Sequence, residues 1–170
     1  DGQAFGPDGA LVAVAGATEQ IIAYAKDGTK HVIADGFRGN DLVVRHDGHI
    51  YVTQPGWNGT DPSQIWHINP EGKKQVVDQG LRFSNGITLS TDQSLLYVAD
   101  TRSHWVYSYQ IQADGSLANK QKYYHLHVPD TADDSGADGL EVDREGRLYV
   151  ATRMGIQVCD QAGRVNVILP

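Results

Sequence analysis

Apolar and polar residues alternate over short stretches of this 170-residue chain, and Asp-Gly or Asn-Gly pairs interrupt them, the pattern of short strands joined by tight turns. One arrangement recurs four times. Asp1-Gly2 is followed by Asp8-Gly9, Asn40-Asp41 by Asp47-Gly48, Asn85-Gly86 by Asp92-Gln93, and Asp138-Gly139 by Glu145-Gly146, with an offset of seven residues each time. Between the two signals lies an apolar segment (3–7, 42–46, 87–91 and 140–144), and a β-rich one follows (11–14, 50–53, 95–99 and 148–152). These are the two strands of a hairpin. A third strand follows in each unit (21–24, 65–68, 106–111 and 156–159). Next comes a turn at Asp27-Gly28, Glu71-Gly72, Asp114-Gly115 or Ala162-Gly163, and a fourth strand (31–34, 75–78, 122–127 and 165–169). Unit starts 39, 45 and 53 residues apart, with four strands each, predict an all-β propeller of four-stranded antiparallel blades over about 1–39, 40–84, 85–137 and 138–170. A β-sandwich also has many short strands, but it would not repeat one offset four times in register.

Composition agrees. Seventeen of the 21 acidic residues are Asp and there are 19 Gly, a bias toward turns and away from helix. No apolar run approaches the ~18 residues of a membrane helix, so no membrane is expected as a partner. A formal charge of -7 without a basic run argues against nucleic acid. Cys159 is the only cysteine, which excludes an internal disulfide and any multi-thiolate metal site, leaving oxygen or imidazole ligands for a metal. Its expected role is that of a small buried hydrophobe. The chain opens on Asp1 without Met, basic stretch or apolar segment, which reads as a processed or cut end and leaves the compartment open.

Strand parity predicts where chemistry sits. If each unit's opening Asn or Asp lies on a top face, the turns at the bottom are short and Gly-containing. Both long insertions, 54–63 and 129–137, then fall on top, the end at which a rigid scaffold presents function. Equivalent positions of successive blades lie at one radius and height. Asp1, Asn40, Asn85 and Asp138 are therefore expected to converge as an oxygen ring at the channel mouth. Two carboxylates and two amides suit a hard divalent cation, Ca²⁺ before Zn²⁺, since no histidine takes a ring position. The plainer alternative is turn chemistry, in which Asn and Asp side chains bond the next backbone amides.

Weaker signals are few. Trp57, Arg102, His104 and Arg153 lie in top connections and could shape a sugar-sized pocket; solvated loop residues are the other reading. His125 and His127 alternate with Tyr124 and Leu126 as one exposed strand face, and Ser84 lacks the G-x-S-x-G elbow of a serine hydrolase. Asn58-Gly59-Thr60 matches a glycosylation sequon.

At the ring positions the sequence resembles the gluconolactonase/regucalcin family of six-bladed propellers. Arg38-Gly39-Asn40-Asp41-Leu42-Val43-Val44 is similar to that family's N-D-V-V-V element, Phe83-Ser84-Asn85-Gly86-Ile87 to its S/P-N-G-L element, and Asp138-Gly139-Leu140-Glu141-Val142-Asp143 to its P-D-G-x-x-x-D element. The likeness runs in order over essentially the whole chain, with Ala137 where the family often has Pro. It implies that the chain corresponds to blades two to five, the remaining blades being its partners if it is a fragment. It also implies a divalent ion, usually Ca²⁺, with Zn²⁺, Mg²⁺ and Mn²⁺ as the other candidates. Asn85 and Asp138 match two of its ligands, and a first-blade glutamate has no counterpart here. The residue matched by Asn40 lines the substrate pocket, with reach to the metal through water, and the one matched by Arg38 contacts substrate in some members. Asp138 matches the proposed catalytic base. Asp41, beside the ring position Asn40, is a second base candidate at the substrate, its first expected role being to bond nearby backbone amides. The function implied is metal-dependent hydrolysis of sugar lactones or related esters. The alternatives are a non-catalytic propeller that binds a sugar or a protein, and calcium binding without turnover.

Overall fold

Sixteen strands make up the regular structure of residues 1–170, all of which the computed structural model describes, and the one helical element is the 3-10 turn Gly16–Thr18. The first sheet holds β1 (Gln3–Phe5), β2 (Leu11–Ala15), β3 (Gln20–Tyr24) and β4 (Lys30–Asp35). The second holds β5 (Leu42–Val44), β6 (Ile50–Gln54), β7 (Gln64–Ile68) and β8 (Lys74–Gln79). The third holds β9 (Ser84–Leu89), β10 (Leu95–Asp100), β11 (Trp105–Ile111) and β12 (Leu117–His125). The fourth holds β13 (Leu140–Val142), β14 (Leu148–Thr152), β15 (Gly155–Cys159) and β16 (Val165–Leu169). Every sheet is antiparallel and keeps chain order in space. The first strands β1, β5, β9 and β13 lie side by side in turn, which makes the sheets successive propeller blades.

The core explains why second strands read as unbroken apolar runs. In β6, Ile50 and Val52 pack with residues of the first sheet, whereas Tyr51 on the opposite face packs with Ile87, Leu96 and Tyr109 of the third. In β10, Leu96 and Val98 face the second sheet while Tyr97 and Ala99 face the fourth. Both faces of a blade are covered, so period two loses its polar half. Cys159 is fully buried in the same layer, and burial pushes its thiol up to about 12, an inert group as expected.

Three expectations need correction. The bottom turns are not uniformly glycine: Gly9, Gly48 and Gly146 have φ of 80°, 86° and 77°, but the third unit places Gln93 there at φ 57°. The strained residue is held by its side chain, whose Oε1 accepts from the His46 amide at 2.8 Å and meets the His46 ring at 2.6 Å. The fourth strand of the third blade runs Leu117–His125 rather than 122–127, because the turn at Asp114-Gly115 closes directly into the ladder with β11. Asn85 lies inside β9 rather than ahead of it.

Candidate functional site at the channel mouth

The Asn40 amide nitrogen Nδ2 donates to Oδ1 of Asn85, 45 residues away in the chain, at 2.7 Å. Two predicted ring residues therefore meet directly, and neither side chain is spent on its own turn. The orientation of the Asn85 amide follows from its neighbours. The Thr101 hydroxyl donates to the Ala137 carbonyl at 2.6 Å, so its lone pairs accept Nδ2–H of Asn85 at 3.1 Å. Nitrogen toward Thr101 and oxygen toward Asn40 is the only arrangement that satisfies this chain of donors. Asp138 follows Ala137, and Gly86, next to Asn85, donates its amide to the Asp138 carbonyl at 3.1 Å. The blades approach so closely here that a methyl on Gly86 would overlap that carbonyl.

Asp138 itself is exposed and its carboxylate forms no ion pair. It lines a cavity of about 370 Å³ together with Thr101, Gly136, Ala151, Thr152 and Arg153. Arg153 lies across Gly136, where a side chain would collide with it, and its Nε donates to Asp134 at 2.9 Å.

Asp41 bonds backbone amides, as the plainer reading expected. Its Oδ1 accepts the adjacent Leu42 amide at 2.8 Å, which is ordinary turn chemistry, but Oδ2 accepts the Ile87 amide of the third blade at 3.2 Å. Burial raises its carboxyl above the usual range; the two amides oppose the shift and the charge of Asp138 adds to it. Between the first two blades the seam is a backbone bond, Gly2 N–H to the Asn40 carbonyl at 2.8 Å. Where Asp41 replaces glycine, the buried Thr53 hydroxyl bridges instead: it accepts the Asp41 amide at 3.1 Å and donates to the Asn85 carbonyl at 2.6 Å.

Asp1 does not join the others. Its carboxylate turns into its own blade and accepts the Gly16 amide at 3.2 Å. Arg38 stands at the rim with its guanidinium stacked 4.3 Å above the Trp57 ring. Sequence reasoning missed Thr53, Thr101 and the buried Asp100, whose carboxylate accepts the Arg82 and Phe83 amides at 3.2 and 2.8 Å and so sets the entry to β9. Their only signal was a polar residue at the top end of a second strand, which strand periodicity treats as an end effect.

The donors on these neighbouring segments, two amide oxygens and one free carboxylate, are hard oxygen ligands and fit an alkaline-earth-type ion in kind. They fall short of a full shell, and nowhere in the chain do three or more His, Cys, Asp or Glu side chains cluster to hold a metal.

Residues 2–169 match the model of the SMP-30/gluconolactonase/LRE-like region. The chain belongs to this family. It is 27% identical over 179 residues to a gluconolactonase of Zymomonas mobilis, covering 93% of the chain and 50% of that protein. It is 28% identical over 119 residues to the lactonase drp35 of Staphylococcus haemolyticus, covering 66% of the chain and 34% of the relative. Among solved structures, a Xanthomonas campestris gluconolactonase superposes with a TM-score of 0.80 at 26% identity, covering 97% of this chain and 60% of that one. The chain thus spans about half the length of the curated relatives it matches, or less.

Proposed function

We propose that this family member takes part in hydrolysis of a sugar lactone or related ester at the top mouth of the channel, with Asn85 and Asp138 at its centre. The observation that carries the reading is the Asn40–Asn85 hydrogen bond, with neighbouring Gly86 bonded to the backbone of Asp138, whose carboxylate is free, in a family whose relatives are named as lactonases. A divalent ion, Ca²⁺ by the chemistry of the donors, held by Asn85 and Asp138, would polarise the lactone carbonyl as a Lewis acid. Everything else falls to the chain. Asn40 and Arg38 orient the substrate from the rim. Asp138 takes the proton of the attacking water. Asp41, whose carboxyl is raised by burial, is the second base; its two backbone partners make holding the seam its first task.

The test is hydrolysis of aldonolactones by the protein in its complete natural length, with Ca²⁺, followed by proton release. Asn85→Ala and Asp138→Ala should each reduce the rate by about 100-fold or more, the scale of losing a positioned catalytic group. Ca²⁺-dependent thermal stabilisation without turnover would select a binding role instead.

A further inference from the structure

Of the eight arginines, Arg45, Arg147, Arg153 and Arg164 hold carboxylates. Arg38, Arg82, Arg102 and Arg144 hold none, and the first three gather in one place in a chain of net charge -7. Trp57 organises that place. Its indole Nε1 donates to the Arg38 carbonyl at 3.0 Å, and its ring meets Phe83 edge-on with centroids 6.0 Å apart. The Arg102 guanidinium lies 4.8 Å above Phe83, and Arg82 donates to the Arg102 carbonyl at 3.2 Å. The result is a continuous wall: guanidinium, indole, phenyl, guanidinium. Arg38 and Phe83 each precede a central asparagine, Asn40 or Asn85, by two residues, and Arg102 follows Thr101, so the wall is joined along the chain to residues of the candidate site.

The loop that carries Trp57 is built to hold it. Asn58 Oδ1 accepts the amides of Thr60 and Asp61 at 3.0 and 2.9 Å, and the buried Ser63 hydroxyl accepts those of Gly56 and Ser84 at 3.3 and 3.0 Å. Trp57 nevertheless leaves 41% of its surface exposed. A pinned, half-exposed indole is a low-entropy platform for the apolar face of a ring. A guanidinium stacked on an aromatic face keeps its in-plane N–H edge free for a carboxylate or phosphate. Glu19 and Asp61 line the groove of about 470 Å³ that includes Arg38 and Trp57, and neither pairs with a guanidinium.

We infer that this wall is a subsite selecting an anionic sugar lactone, one whose ring stacks on Trp57 while its carboxylate or phosphate is taken by the Arg82 and Arg102 edges at the Phe83 end. The inference rests on the lactone-hydrolase reading and specifies its substrate class. It is tested on the full-length protein with three lactones: neutral D-glucono-1,5-lactone, its 6-phosphate and a carboxylated glucarolactone. One of the two anionic lactones should exceed the neutral one in kcat/KM by about 10-fold or more, the scale of a charge-assisted hydrogen bond, and which one does so identifies the anion. Arg102→Gln should lower that ratio about 10-fold, and Arg102→Lys should recover part of it. A wild-type ratio near one, or a ratio that Arg102→Gln leaves unmoved, overturns the subsite. A binding readout separates the two claims: glucarate and gluconate 6-phosphate should change tryptophan fluorescence saturably, glucitol should not, and Trp57→Phe should abolish the response. That response without any lactone turnover sinks the hydrolase reading and keeps the subsite. Its absence with both anions sinks the subsite.

Discussion

The two ends of the blades use the same residue types to opposite effect. At the bottom, aspartates close their own turns. Asp27 is bound by the hydroxyl and amide of Thr29, Asp92 by Ser90 and Ser94, and Asp114 by Ser116, and these contacts hold all three carboxyls below the usual range. At the mouth, Asn40 and Asn85 bond each other across two blades, and Asp41 divides its carboxylate between its own turn and the Ile87 amide of the next blade. Asp138 keeps its carboxylate exposed and unpaired. An Asx residue whose side chain satisfies its own turn is structure; one whose turn is satisfied without it is available for chemistry.

The largest effect should come from breaking the mouth at its closest approach. Gly86→Ala pushes a methyl into the Asp138 carbonyl and should destabilise by about 3 kcal/mol or more, a core-overpacking cost, with loss of activity. The matched change at the bottom, Gly28→Ala, meets open space and carries only the strain of φ 86°, about 1 kcal/mol. Urea denaturation of both proteins checks the contrast, and equal losses would mean that the two ends are equally tolerant.

Thr101→Val should rank next. It keeps the volume but leaves the Ala137 carbonyl and the Asn85 amide nitrogen unpaired, at a cost of about 1–3 kcal/mol. With the amide free to turn, lactone hydrolysis should fall about 10-fold, as for a lost orienting partner, while Thr101→Ser retains both. Proportional recovery of stability and rate in the serine protein is the outcome that supports orientation.

The smallest effect belongs to Asp92. Its carboxyl is lowered to about 2 by the Ser90 hydroxyl and by the amide and hydroxyl of Ser94, against an unfolded value of about 3.8. The folded state therefore binds its proton less readily than the unfolded state. The stabilisation is present above about pH 4 and disappears as pH falls toward 2. The group is solvent-exposed, so Asp92→Asn should lower stability at pH 7 by under about 1 kcal/mol and leave activity untouched. Thermal melts at pH 7 and pH 2.5 check this, since the difference between the two proteins should shrink at the lower pH.

The blade repeat was legible because tight turns demand particular residues at fixed offsets, whatever lies elsewhere in the chain. Thr53 and Thr101 were not legible: a threonine at a strand end has no periodic signature, and its worth depends on carbonyls 32 and 36 residues away. Asp1 shows the converse error. It shares the register of Asn40, Asn85 and Asp138, but a Gly16 amide within reach captures it.

What the sequence settled alone is local: four-stranded antiparallel units, their turns, and a shared height for the recurring Asn and Asp residues, because turn geometry and side-chain periodicity are properties of neighbours in the chain. What only the tertiary structure decided is which of those groups meet. Blade packing brought Asn40 against Asn85 and stacked Trp57 between Arg38 and Phe83, and a Gly16 amide within its own blade turned Asp1 away, because a side chain's partner is set by the three-dimensional approach of segments apart in sequence.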